Sequence, residues 1–227
     1  MDVYIVGGQV LVLPSTLAAQ LQSDILSSTL TAQIQADAQL PTAAEHATWE
    51  QLFQHSMSKM GWRRLERGER PIALRTPTFT LVQALRDELQ ERWPYLDSTG
   101  ALASVVAELM RGSAAAERLR LHTRSAAAVV PSESMQEPQP LGLQLIVVDA
   151  NATLHVTCVA CITDQPLEAD WLSQVLQVDL LRADLEVRYF AAQLLETRYQ
   201  ALREGLIKWL GDRSQTLVQR LAPAEPT

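Results

Sequence analysis

The feature that most constrains the fold of this chain is a long stretch, Leu141–Thr163, in which Asp149 is the only charged residue. Two apolar runs rich in β-branched residues, Leu143–Val148 and Thr153–Ile162, flank the short turn sequence Asp-Ala-Asn-Ala. Apolar runs of this length on either side of a polar turn predict a β-hairpin. We therefore expect a sheet that includes a hairpin at residues 143–162.

The same stretch raises the question of a membrane-active segment. A transmembrane helix is disfavoured because Asp149 and Asn151 lie near its middle, and because β-branched residues favour strands. A β-hairpin that inserts only after oligomerisation fits the same residues. This gives one alternative function, a secreted effector or toxin that acts at membranes through an inserting 141–163 hairpin.

The first half of the chain shows helical spacing interrupted by helix-ending residues. Val3–Leu13 predicts one strand, or two short strands broken at Gly7 and Gly8. Apolar residues three and four apart then predict four helices. These run from a cap at Ser15 to Pro41, from Thr42 to Gly61, from Thr78 or Thr80 to Pro94, and from Asp97 or Ser98 to Gly112.

Two connecting segments are harder to assign. Residues 62–74 are Arg-rich and centred on Gly68, which predicts a polar hairpin or an extended connection. Residues 118–130 alternate like a strand although their alanines favour helix, and we predict a strand there. Residues 131–140, rich in Pro, Ser, Glu and Gln, predict a flexible loop.

A long C-terminal helix is predicted from Leu167 to about Leu210, because apolar residues recur there at spacings of three and four. Its last part steps 4-3-4-3, as the seam of a coiled coil does. Alternatively, the apolar face of this helix packs against the chain's own sheet. The seam residues, which we predict to form an interface, are Leu195, Tyr199, Leu202, Leu206 and Trp209.

These elements predict an α+β fold with N-terminal helices, a small, mostly antiparallel sheet containing the 143–162 hairpin, and a long C-terminal amphipathic helix. Residues 1–130 form a helix-rich segment with an N-terminal strand. The loop at 131–140 joins it to residues 141–227, which carry the hairpin and the C-terminal helix. We expect both parts to belong to one integrated domain.

The cysteines and histidines form no recognisable reactive cluster. Cys158 and Cys161 are three apart on a predicted strand, so their side chains point to opposite faces and cannot readily pair or share a metal. The histidines His46, His55, His122 and His155 lack the spacing of metal-binding motifs. We therefore predict no catalytic residue, no metal and no cofactor, with an unrecognised enzyme as a third hypothesis.

The charge distribution constrains the partners. A net charge of −7 and a pI near 5.1 argue against nucleic acid as a partner. The strongest local feature is a group of arginines opposed only by Glu66 and Glu69, and it predicts a docking patch for an acidic partner, such as another copy's C-terminal helix, or for anionic lipid. A solvated hairpin with local ion pairs is the alternative. The group comprises Arg63, Arg64, Arg67, Arg70 and Arg75.

We therefore expect a non-enzymatic self-assembling or adaptor protein that acts through protein–protein interfaces, with itself or another protein as the partner. A membrane partner belongs to the alternative function. The first residues lack the basic start and apolar core of a secretory signal, which predicts a cytoplasmic location. Secretion without such a signal stays an alternative to this location, because it leaves no trace in the composition of the chain.

Overall fold

The computed structural model describes residues 1–40, 46–94, 99–123, 138–168 and 171–222. The strands are β1 (Asp2–Val6), β2 (Gln9–Leu13), β3 (Trp62–Ile72), β4 (Thr78–Phe79), β5 (Gln139–Val148), β6 (Thr153–Thr163), β7 (Leu176–Gln177), β8 (Leu185–Leu194) and β9 (Val218–Arg220). The helices are α1 (Ala19–Gln39), α2 (His46–Lys59), α3 (Leu81–Arg92), α4 (Thr99–Arg111), α5 (Ala114–Thr123), α6 (Glu196–Tyr199), α7 (Arg203–Leu210) and α8 (Arg213–Leu217).

Seven of the described strands form one mixed sheet in the order β3-β8-β6-β5-β2-β1-β9. Neighbouring strands are antiparallel except β2 and β5, which are parallel. The N-terminal residues form the two short strands of the second prediction, and Gly7 between them has a φ of +60°, which favours glycine. The N-terminal hairpin therefore adds β2 and β1 to the sheet beside β5.

The central strands are buried on both faces of the sheet. In β5, Leu145 and Val147 belong to one hydrophobic core, whereas Ile146 and Val148 belong to the other. Residues of α3, α4 and α5 complete the first core, and residues of α1, α2, α6 and α7 complete the second. Because a strand covered on both sides is mostly apolar and carries few charges, this arrangement explains the nearly uncharged run at Leu141–Thr163.

The predicted fold class is wrong in two respects. The β5–β6 hairpin is present, with Val148 opposite Leu154 beside the turn. However, the hairpin lies inside a seven-stranded mixed sheet with helices on both faces, so the fold is mixed α/β and the sheet is not small. The prediction failed because it placed a polar hairpin or an extended connection at residues 62–74 and a helix at residues 185–194. In the structure, Trp62–Ile72 form β3 and Leu185–Leu194 form β8.

The prediction of a long C-terminal helix is also wrong. Residues 185–194 form the ten-residue strand β8, which pairs with β3 on one side and β6 on the other. Val187 packs in the first core and Phe190 in the second, so buried residues occur on both faces. A strand with this burial contains apolar residues three and four apart, and it therefore resembles a helix in sequence.

Several other boundaries differ from the predictions. The helix expected from Ser15 begins at Ala19, with Ala18 as its N-cap residue. Residues 114–123 form α5, so the strand expected at 118–130 is wrong as far as Thr123. The expected cap at Thr42 lies outside the described residues, as do residues 131–137 of the expected loop, whereas residues 139 and 140 begin β5. Thr80 does cap α3, because its hydroxyl accepts a hydrogen bond from the Gln83 backbone N–H at 3.1 Å.

Among the described helices, none combines the length and the apolar character that crossing a bilayer requires. The β5–β6 hairpin lies at the centre of the sheet, between β2 and β8. Insertion of this hairpin into a membrane would therefore require that its pairing on both sides and both cores be disrupted.

The two-sided burial predicts that Ile146 and Ile162 differ sharply in their contribution to stability. Ile146 is fully buried, whereas the side chain of Ile162, at the end of β6, is 44% exposed. Ile146→Ala should lower the free energy of unfolding by about 2–5 kcal/mol, through lost burial and a residual cavity. Ile162→Ala should lower it by roughly 1 kcal/mol or less. Urea unfolding of both variants measures the difference, and equal losses would contradict two-sided burial of β5.

Candidate functional site

A cavity of about 350 Å³ lies on the second face of the sheet, between α2, β3 and β8. Its walls are polar and basic, and part of its floor is apolar. We call it the basic groove. It is lined by Gln51, Gln54, His55, Met57, Ser58, Trp62, Arg64, Arg67, Phe190 and Ala192.

The geometry of β3 brings two arginines to this groove. Residues three apart on a regular strand point to opposite faces. The register of β3 against β8 shifts between Arg64 and Glu66, and this bulge allows both Arg64 and Arg67 to line the same cavity. Trp62 anchors the start of the strand, because its indole N–H donates a hydrogen bond of 3.1 Å to the buried Ser28 hydroxyl.

Helix α2 and strand β8 supply the other surfaces of the groove. Gln51, His55 and Ser58 are spaced three and four residues apart, so they lie on one side of α2. Phe190 of β8 is 2% exposed and belongs to the second core. The groove therefore combines hydrogen-bonding walls with an aromatic floor.

The arginine group does not form one continuous patch. Arg70 forms ion pairs with Glu88 and Glu91 of α3, at 2.8 Å and 3.0 Å. Arg63 donates a hydrogen bond of 3.4 Å to Gln193, and Arg75 is exposed beyond the end of β3.

Only two members of the group, Arg64 and Arg67, line the basic groove. Both are exposed, and neither forms an ion pair within 4 Å in the described part of the chain. The groove therefore carries two positive charges without an ion-paired carboxylate, although the buried Glu50 beside it interacts electrostatically with Arg67.

A buried ion pair lies beside the groove and joins α2 to the sheet. The Arg188 Nε donates to the Glu50 carboxylate at 2.8 Å, and the two side chains are only 4% and 5% exposed. The Gln54 amide, which lines the groove, donates a second hydrogen bond of 2.8 Å to Glu50. Arg188 also binds Glu186 at 2.5 Å. This network fixes the position of the α2 wall over β8.

Burial controls the ionisation of this network. Removal from water raises the pKa of Glu50 above its usual 4.5, although the charge and hydrogen bonds of Arg188 act in the opposite direction. Burial likewise raises the pKa of the neighbouring Cys158 thiol to about 12, so the thiol stays protonated at neutral pH. Cys161 packs in the opposite core, which agrees with the predicted orientation of the two cysteines.

The predicted C-terminal seam is not continuous in the structure. Tyr199 is fully buried, and its hydroxyl donates to the Asp24 carbonyl at 3.1 Å. Leu202 and Trp209 are 39% and 42% exposed, whereas Leu195 and Leu206 are half-buried. Its residues are divided between α6, α7 and the segments before them.

Charge also argues against the C-terminal helices as the acidic partner of the arginine group. Residues 196–210 carry Glu196 and Glu204 against three basic residues, Arg198, Arg203 and Lys208. Arg203 is already bound through two nitrogens to Asp24 of α1, at 2.9 Å and 2.7 Å. This segment has no net negative charge with which to match Arg64 and Arg67.

A second polar pair, His155 and Asp149, which no sequence motif indicates, lies on the other face of the sheet. The His155 Nε2 lies 3.2 Å from the Asp149 carboxylate, beside a cavity of about 420 Å³ that is also lined by Arg92 and Trp93. The other carboxylate oxygen of Asp149 accepts hydrogen bonds from the backbone N–H groups of Asn151 and Thr153, at 2.8 Å and 2.9 Å. Asp149 therefore links His155 to the backbone of the hairpin turn, and His155 lines the cavity with only 5% of its surface exposed.

The pairing of Glu50 with Arg188 is not visible in the sequence, because the two partners are 138 residues apart. A buried arginine on an apolar strand is the one local sign that could have indicated it, since a buried charge requires a partner. The predicted C-terminal helix, Leu167 to about Leu210, includes Arg188 without giving it a partner.

No family model matches this chain, and no curated protein matches it. A solved structure described as the structure of the Evf virulence factor aligns with 94% of this chain and 85% of that one, at 8% identity and a TM-score of 0.43. At this level of likeness, nothing about the function of this chain follows from that protein.

The raised pKa of Glu50 predicts a specific dependence of stability on pH. Between 4.5 and its raised value, the folded protein holds a proton that the unfolded chain has released, so stability must fall as pH rises through this window. Glu50→Gln keeps the shape of the side chain and removes the titration. The difference in unfolding free energy between wild type and Glu50→Gln should therefore decrease as pH rises above 4.5. Urea unfolding at a series of pH values tests this, and a difference that grows with pH would show that Arg188 lowers the pKa instead.

Proposed function

We propose that this is a non-enzymatic binding protein of the adaptor type, which holds an acidic segment of another protein in the basic groove. One observation carries the proposal. Arg64 and Arg67 converge on a cavity with an aromatic floor, and no described carboxylate pairs with either of them. A site with two available guanidinium groups and an apolar floor favours a carboxylate next to an apolar side chain.

Charge supports an acidic protein segment as the partner. The chain as a whole carries −7, so most of its surface repels a polyanion, and the groove is a local exception. Such a contrast guides an acidic partner to one place and orients it there. It also weakens non-specific contacts, because a partner displaced from the groove meets like charge.

The dimensions of the groove suit a short segment. A volume of about 350 Å³ is near the lower end of the range typical of ligand pockets, roughly 300–1,000 Å³. This volume accommodates a few side chains of an extended peptide, with one carboxylate on the arginines and an apolar group on Phe190. The exposed side chains of Gln51, His55 and Ser58 supply further hydrogen bonds along the α2 wall.

The buried network makes the groove a preformed site. Glu50 and Arg188 hold α2 to β8, and Gln54 links this pair to the groove wall. A wall that is fixed before binding loses little conformational entropy when the partner binds. The proposal places the protein in the cytoplasm, where the thiols of Cys158 and Cys161 remain reduced.

The experiment compares two arginine variants that make the same charge change. Arg64→Glu places a negative charge in the groove, whereas Arg75→Glu places one on an exposed residue outside it. Binding of a fluorescein-labelled hexaglutamate peptide is measured by fluorescence anisotropy, with hexaglutamine as the uncharged probe. Arg64→Glu should weaken hexaglutamate binding by roughly tenfold or more, and Arg75→Glu should change it little.

The salt dependence gives a second measurement on the same samples. Added salt should weaken hexaglutamate binding to wild type, because screening reduces the attraction between exposed charges. Equal weakening by the two variants would assign the attraction to the general surface, and wild-type protein that fails to bind hexaglutamate would refute the proposal.

A further inference from the structure

The outer edge of β3 is an open edge of the sheet. Within the described residues this eleven-residue strand pairs only with β8, and it ends the strand order. The opposite edge strand, β9, has only three residues. Long open edges offer unpaired backbone N–H and C=O groups to another strand, so β3 is the edge that could accept one.

The charges along this edge have an unusual order. The sequence Glu66-Arg67-Gly68-Glu69-Arg70 is antisymmetric about Gly68, since each charge has the opposite charge at the same distance on the other side. These residues pair with β8 without a break in register, so their side chains alternate regularly. Arg67 and Glu69 share the α2 face of the sheet, and Glu66 and Arg70 share the α3 face.

We propose that β3 is a self-association surface, on which the β3 strand of a second copy pairs antiparallel about a two-fold axis through Gly68. In this register, Arg67 lies opposite Glu69 of the second copy, and Glu66 lies opposite its Arg70. Each pair occurs twice because the interface is symmetric. Both members of every pair lie on the same face of the joined sheet, as antiparallel pairing requires.

Neighbouring registers are repulsive. A pairing centred on Arg67 would place this residue opposite its own copy, and a pairing centred on Glu69 would do the same for two glutamates. Like charges directly opposite each other destabilise a strand pair. The charge order therefore selects the register centred on Gly68. Edge charges of one sign prevent pairing between copies, but an antisymmetric order favours it.

The absence of a side chain at Gly68, the centre of this register, is explained by packing within the chain. The Tyr189 side chain lies over this position, so that a Cβ atom on residue 68 would overlap the tyrosine ring and hydroxyl. The register shift before Glu66 and the proline at position 71 limit regular pairing to residues 66–70. A short interface of this kind predicts a weak dimer.

The ion pairs on the two faces of the joined sheet do not contribute equally to the proposed dimer. Arg70 is already paired with Glu88 and Glu91 at 2.8 Å and 3.0 Å, and Glu66 accepts a hydrogen bond of 3.3 Å from Trp93. Arg67 and Glu69 are exposed and form no ion pair with other described residues. The Arg67–Glu69 contacts therefore gain the most when a second copy binds, and they are the contacts to test. In the dimer, Arg64 is the arginine of the basic groove that keeps an unpaired charge.

The test uses charge swaps at these two positions. Sedimentation equilibrium from micromolar to millimolar concentration should show the average mass of wild type rising from 25.2 kDa towards twice that value. Arg67→Glu and Glu69→Arg each place like charges opposite each other twice, and each should weaken dimerisation by roughly tenfold or more. The double variant Arg67→Glu/Glu69→Arg restores opposite charges and should recover dimerisation.

Mixing the two single variants gives the most specific result. In a mixed pair, the two substituted positions carry opposite charges and face each other, and the unchanged Glu69 of the Arg67→Glu copy faces the unchanged Arg67 of the Glu69→Arg copy. Two variants that are separately monomeric should therefore form a dimer together, which a folding defect cannot produce. A monomeric mixture, or wild type that remains monomeric at every concentration, would overturn the proposal. Arg64→Glu changes the groove and not this register, so its dimerisation should match wild type whatever the fate of the adaptor proposal.

Discussion

Burial of the central strands on both faces is the constraint on which the rest of this structure depends. Strands β5 and β6 carry apolar side chains to two separate cores, and each core needs its own helices. With helices on both faces, the remaining strands can add only at the ends of the sheet. This places β3, which carries most of the arginine group, at an exposed edge next to β8.

The same constraint explains why a charged pair lies beneath α2. Arg188 belongs to a strand with a helix above it, so its charge cannot reach bulk water and requires a partner from that helix. Glu50 meets this requirement, and the pair fixes α2 beside the two arginines that remain exposed. Stability and the proposed binding site are thus linked through one helix, since the residues that hold α2 also hold one wall of the basic groove.

Much of the local structure could be predicted from the sequence, because the β5–β6 hairpin and the cap of α3 at Thr80 depend on neighbouring residues. β8 could not, because the alternation of Leu185–Tyr189 ends at Phe190, where both faces are apolar, and its apolar residues continue the spacing of three and four found in the flanking segments. β3 was missed for the opposite reason, since an edge strand rich in arginine and glutamate has little strand propensity of its own. The candidate site depends on both strands, so the predicted arginine group contained Arg64 and Arg67 but not the arrangement that separates them from Arg63, Arg70 and Arg75.

Amide hydrogen exchange tests the two-sided burial of the central strands most directly. Amides that are hydrogen-bonded within a sheet covered on both faces exchange only when the whole domain unfolds. The structure therefore predicts that the amides of β6 exchange with the free energy of global unfolding, whereas outward-facing amides of β3 exchange much faster at low protein concentration. Fast exchange throughout residues 153–163 under native conditions would contradict the central position of the hairpin.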